Sequence, residues 1–131
     1  MSYPAPSLCS RPESRPARCA TIKINNISAW VDARLAGRDP EAILWNRVGK
    51  VGEEHGEAVT ALIGLTDANP RRNTSSTTVD HLRYELLDVA LAALAAHAHL
   101  GQNRGDPMQL LDHLDHVHHR AGLDSEGELD R

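Results

Sequence analysis

At 131 residues the chain is long enough for one domain with a modest core. A net charge of −4 gives no bulk basic character, so no nucleic-acid partner is expected. No run of about 18 or more apolar residues occurs, and the N-terminal segment lacks the continuous apolar stretch of a signal peptide; no membrane association is expected, and a cytoplasmic location is the default.

Phenylalanine is absent, aromatic residues make up 3%, and Ala and Leu dominate the apolar set. That composition suits closely packed helices rather than a sheet, which favours β-branched and aromatic residues. Residues 1–22 hold four of the seven prolines, at Pro4, Pro6, Pro12 and Pro16, and are expected to form a disordered tail. Cys9 and Cys19 lie in it at a spacing that fits no zinc pattern, so both are expected to be free thiols.

A helical domain is expected over residues 23–122, followed by an acidic tail over 123–131. Its first helix is expected from Asn26 to Ala36, with Ile27, Trp30, Val31 and Leu35 as the apolar face and Gly37 as the stop. Asp39-Pro40-Glu41 reads as an N-cap, a first-turn proline and a first-turn acid. The second helix then runs to about Gly64, with Leu44, Val48, Val51, His55, Ala58, Leu62 and Leu65 recurring at steps of four and three. The stretch 66–76, TDANPRRNTSS, is a polar loop. Thr77 with Asp80 forms a capping box for a third helix, which extends to His99 or Leu100. Asp106-Pro107 opens a fourth, striped by Leu110, Leu111, Leu114, Val117 and Ala121 and ended by Gly122. Short connections favour antiparallel neighbours, so the expected fold is all-α, an antiparallel bundle of about four helices.

The informative residues are acids where a helix should be buried. At about 100° per residue, Glu54 falls about 75° from the centre of the second helix's apolar seam, and Glu57 lies beside it three residues on. Glu53 falls almost opposite the seam. The third helix is apolar nearly all round from Leu86 to Leu100, yet it carries Asp88, with Glu85 one turn before. Glu85 is too far from the helix start for the macrodipole to account for it. A buried, unpaired carboxylate costs several kcal/mol or protonates, so these acids call for a cation. Two helices that each present acids at i, i+3 bring four carboxylates together when packed antiparallel. Clustered carboxylate oxygens suit Mg²⁺ or Mn²⁺. The competing reading is a solvated acidic face, with Glu85 and Asp88 paired to arginines.

At these residues the sequence resembles the MazG-like branch of the all-α nucleoside triphosphate pyrophosphohydrolases. That family carries E-x-x-E on one helix and E-x-x-D on the next. Here these are Glu54-His55-Gly56-Glu57 and Glu85-Leu86-Leu87-Asp88, and Lys50 with Glu53-Glu54 matches the family's K-x-x-E-E-x-x-E form. The likeness covers about residues 40–100. It implies conversion of an NTP or dNTP to the monophosphate and pyrophosphate, in nucleotide-pool housekeeping. Glu54, Glu57, Glu85 and Asp88 would hold Mg²⁺, with Mn²⁺ as a substitute, and Glu53 would act as the general base or orient the water. Lys50, Arg71 and Arg72 would bind the phosphates, for which arginine's fork is suited. The chain departs from the family beyond Leu100: members often carry Asn, Lys or Arg on the late helices to hold base and phosphates, whereas the fourth helix here offers His113, His116, His118, His119 and Arg120, which align one to one with no family site.

Other signals remain. The tract DHLDHVHHR sets Asp112, His113, His116 and His119 at helical steps, as either a transition-metal site or a solvated face. His55 is expected as a hydrogen-bonded core histidine, His81 and His99 as possible outer partners of the acids, and Trp30 and Trp45 as core. Gly49, Gly52 and Gly56 share one side of the second helix and are expected to let another helix approach closely. With apolar arcs too wide for one small bundle to cover, a homodimer or homotetramer is expected. The second functional reading is a nucleotide- or metal-binding module or sensor that does not hydrolyse.

Overall fold

The computed structural model describes residues 15–68, 77–105 and 107–123. They form four helices: α1 (Arg15–Arg34), α2 (Pro40–Thr66), α3 (Val79–Leu100) and α4 (Pro107–Arg120). No strand occurs among the described residues, and no helix among them is long and apolar enough to cross a membrane. The expected all-α class holds at this level.

Local chemistry sets most of the boundaries. The Asp39 carboxylate accepts the Ala42 N–H at 3.0 Å, with Pro40 in the first turn behind it. Asp67 ends α2 in a left-handed conformation, φ 51°, and its N–H donates to the Ile63 carbonyl. Gly37 at φ 84° and Gly122 at φ 71° take the positive φ that ended the helices in the sequence reading. Two boundaries differ. α1 begins at Arg15 rather than Asn26, because Pro16 is tolerated in a first turn and Ala17 and Ala20 favour helix behind it. The cap of α3 is Thr78, one residue after Thr77: its hydroxyl accepts the His81 N–H at 3.1 Å, and Asp80 pairs with Arg83 instead of reaching back.

The chain divides into two compact units. One spans Lys23–Arg104 and contains the larger part of α1 with α2 and α3. Within it α2 and α3 pack along each other. They run antiparallel, since Glu54 meets Glu85 and Asp88 while Arg47 lies toward Ala95. α1 runs parallel to α3: Ser28 bonds the Ala95 carbonyl and Asp32, one turn on, bonds His99. The buried apolar residues here are all alanines, Ala58, Ala61, Ala95, Ala96 and Ala98, small enough for the helices to approach closely.

The inner face of α2 is not the expected seam. Val51, Ala58 and Leu65 are inward as expected, but Arg47, Glu54 and Ala61 take the inward places expected for Val48, His55 and Leu62, each one residue earlier. His55 is exposed, which corrects its placement in the core, and Leu44, Val48 and Leu62 are exposed beside it. α3 is not covered all round either: Leu86 and Leu87 are 55% and 61% exposed. Neither tryptophan is core; Trp45 is exposed, and Trp30 is exposed with the Arg34 guanidinium 3.7 Å above its ring.

The other unit takes in the residues up to Ile22 and those from Gly105 on. Cys19, on α1, is disulfide-bonded, so the expectation of a free thiol is overturned there. Cys9 lies outside the described residues. On α4, Leu110, Leu114 and Val117 are exposed and Leu111 is half-buried.

Candidate metal centre

α2 and α3 each turn acidic side chains into the seam between them. Glu54 shares the inner face of α2 with Val51 and Ala58, and Glu85 follows Leu82 and precedes Val89 on the inner face of α3. Asp88, one turn beyond Glu85, stands at the open edge. One carboxylate oxygen from each of Glu54, Glu85 and Asp88 lies within 4.8 Å of the others. The side chains of Glu54 and Glu85 are only 13% and 15% exposed. Burying carboxylates this far needs compensating charge or hydrogen bonds.

The compensation is incomplete. Lys50 Nζ, one turn before on α2, lies 2.6 Å from Glu54 and 3.0 Å from Glu53. These hydrogen bonds, to Glu54 first and Glu53 second, raise the Lys50 pKa well above the usual lysine value. His81 Nε2 lies 3.2 Å from Glu85 Oε1, so one expected outer partner is in place. Glu85 Oε2 is buried with no partner. Asp88 makes no hydrogen bond or ion pair among the described residues. Three converging carboxylates of a hard-ligand type, with one Glu85 oxygen buried and unsatisfied, fit a divalent cation completed by water.

An open cleft of about 310 Å³ adjoins the triad, between α1, α2 and α3. Glu54, Asp88 and Lys50 line it with Asn46 and Arg47, and Ile27, Val31, Leu91 and Ala95 give it apolar walls. Its size is at the lower end for small-molecule sites.

The other sequence-derived candidates divide. Glu57 is exposed on α2 and stands outside the group of three. Glu53 is exposed and held by Lys50. Arg71 and Arg72 lie outside the described residues. His113, His116, His118 and His119 are exposed on α4, and the only group of three or more ligating side chains among the described residues is the Glu54 triad.

His99 is not an outer partner of the acids. Its Nδ1 lies 2.9 Å from Asp32 on α1, in a second polar cluster that the sequence reading missed. Asp32 also accepts from Asn103 at 2.9 Å and pairs with Arg47 at 3.2 Å. Arg47 is 6% exposed and donates further to the carbonyl and hydroxyl of Ser28. Burial alone would raise the Asp32 pKa, but the bonds from His99 and Asn103 and the Arg47 charge hold it below the usual aspartate value. The overlooked signal was register: Arg47 sits one heptad before Glu54, so whatever buries one buries the other.

No family model, curated protein or solved structure matches the chain.

Proposed function

We propose that the chain is a MazG-like, Mg²⁺-dependent nucleotide pyrophosphohydrolase that converts an NTP or dNTP to the monophosphate and pyrophosphate. The observation that carries this reading is the convergence of Glu54, Glu85 and Asp88, with the buried Glu85 Oε2 unpartnered, beside a cleft of small-molecule size. Those three residues hold the ion, and Glu57, exposed one turn beyond Glu54, is the further ligand the resemblance implies. When bound, the ion supplies charge neutralisation and a water of lowered pKa. Glu53 would orient the attacking water or accept its proton as the water oxygen bonds to the α-phosphorus, the bond to the bridging oxygen breaks, and pyrophosphate leaves. Lys50, Arg71 and Arg72 bind phosphate.

A second copy belongs to the same proposal. Exposed Leu44, Val48 and Leu62 run along α2 next to Gly49, Gly52 and Gly56, and an added Cβ at any of these glycines would meet only open space. An antiparallel homodimer or homotetramer would cover this side. A monodisperse monomer in light scattering at working concentration overturns that part.

One observation favours the alternative of a non-hydrolysing module: Glu54 and Glu85 each have a partner within the chain, Lys50 and His81. Incubation with a panel of NTPs and dNTPs plus Mg²⁺ separates the two. Monophosphate and pyrophosphate, lost in Glu85→Ala, support the enzyme. Calorimetric binding with no product supports the module, and neither turnover nor binding overturns both.

A further inference from the structure

Lys50 meets one triad acid and one acid outside the triad. Its ammonium lies 2.6 Å from Glu54 and 3.0 Å from Glu53, and Glu53 is not among the three converging acids. The side chain is 48% exposed at the edge of the cleft, on a flexible four-carbon stem, so its movement disturbs no packed core. Glu85 Oε2 and Asp88 lie beyond its contacts. One positive charge at one corner therefore stands against three acids. A divalent ion that drew on all three would have to take Glu54 from the lysine.

We propose that Lys50 is a tethered counter-ion that holds Glu54 until a divalent cation binds there and then withdraws onto Glu53. This rests on the metal-centre reading above and goes beyond it, because it assigns Lys50 to competition with the metal and gives Glu53 the task of receiving the lysine in the nucleotide-free protein, before phosphate draws Lys50 away and frees Glu53. Lys50 is a positioning residue in this role, and Glu53 lowers the cost of displacing it. Both acids sit one turn from Lys50 on the same helix, at i+3 and i+4, so the exchange is a side-chain rotation with no backbone change.

The exchange is read by titrating the full chain with Mn²⁺ alone, in a calorimeter, without nucleotide. Lys50→Met is expected to bind Mn²⁺ about tenfold tighter than the wild type, a typical size for one coupled charge. Lys50→Arg keeps a competing cation and is expected to stay near the wild-type affinity. Glu53→Gln removes the receiving acid and is expected to weaken Mn²⁺ binding in the wild-type background more than in the Lys50→Met background. A lysine that merely supported the local structure would give weaker or equal binding in Lys50→Met, and that result overturns the proposal. Equal effects of Glu53→Gln in both backgrounds remove the part assigned to Glu53. Binding that is lost in Glu85→Gln but unchanged in Lys50→Met sinks the exchange and leaves the metal centre standing. No Mn²⁺ binding by the wild type or by Lys50→Met sinks both. Circular-dichroism melting of each variant confirms that the helices remain folded.

Discussion

Two charged clusters share α2 one heptad apart, and they are built on opposite plans. Around Arg47 every strong charge has an answer from the chain: Asp32 receives Arg47, His99 and Asn103, and Arg47 also reaches Ser28. Around Glu54 three acids converge, Lys50 and His81 each reach only one of them, and a buried oxygen is left over. The first cluster ties α1 to α2 and α3 and its charges balance, although Arg47 Nε and Asn103 Oδ1 are buried there without a hydrogen-bond partner. In the second, the acids outnumber the cationic groups that reach them. The difference between them is one of charge balance, and an acid cluster short of cations is what the proposed metal site requires.

The largest effect should come from breaking the charge-balanced cluster. Arg47→Met leaves the Asp32 carboxylate without its guanidinium partner, and losing one member of a buried ion pair costs about 3–5 kcal/mol. That is a large share of the stability of a small domain, and urea unfolding at pH 7 should show it as a pronounced drop in midpoint. Adding Asp32→Asn to Arg47→Met should recover part of the loss, because the uncompensated charge is gone. A drop of less than about 1 kcal/mol would mean that Arg47 is an ordinary surface residue.

What the sequence made legible follows the same division. The starts and stops at Asp39-Pro40, Gly37 and Gly122 were readable because capping is decided within a few residues. Glu85 and Asp88 stood out because the third helix is apolar nearly all round beyond them, whereas Glu54 has Lys50 one turn before it as a local partner. The inner face of α2 was misassigned because hydropathy takes Leu44, Val48 and Leu62 as inward, whereas the packing with α1 and α3 selects Arg47 and Glu54. Polar residues chosen for burial by partners on other helices leave no mark in periodicity. His99 shows the limit: the helical wheel placed it on the correct side of α3, but its partner, Asp32, comes from α1, distant in sequence. Glu57 shares an arc with Glu54 on the wheel, yet one turn further on it stands exposed.

The second effect has the opposite sign on stability. Glu85→Gln removes the charge from the unsatisfied position, so metal-free stability should stay within about 0.5 kcal/mol of the wild type or rise. Mn²⁺ affinity should fall at least about 100-fold, or about 2.7 kcal/mol, since even outer partners of metal ligands are worth 10–100-fold. The contrast with Arg47→Met is the content of the comparison. If Glu85→Gln destabilised the metal-free protein as Arg47→Met does, both clusters would be structural.

The smallest effect is in the acid limb of the stability curve. Asp32 has a folded-state pKa below its ordinary value of 3.8, so the folded protein holds that proton less tightly than the unfolded chain does. Its contribution is fully present above the unfolded pKa and is lost as pH falls through the lower, folded value. Wild type and Asp32→Asn should therefore differ in urea midpoint at pH 7, and the gap should narrow steadily below about pH 4. The sign is fixed by the partners: Arg47, His99 and Asn103 favour the carboxylate, and each loses its acceptor when it protonates. A gap that stayed constant down to pH 2 would show that Asp32 acts through its shape and hydrogen bonds, with its charge contributing nothing. The Arg47 cluster would then differ from the triad in packing rather than in charge balance.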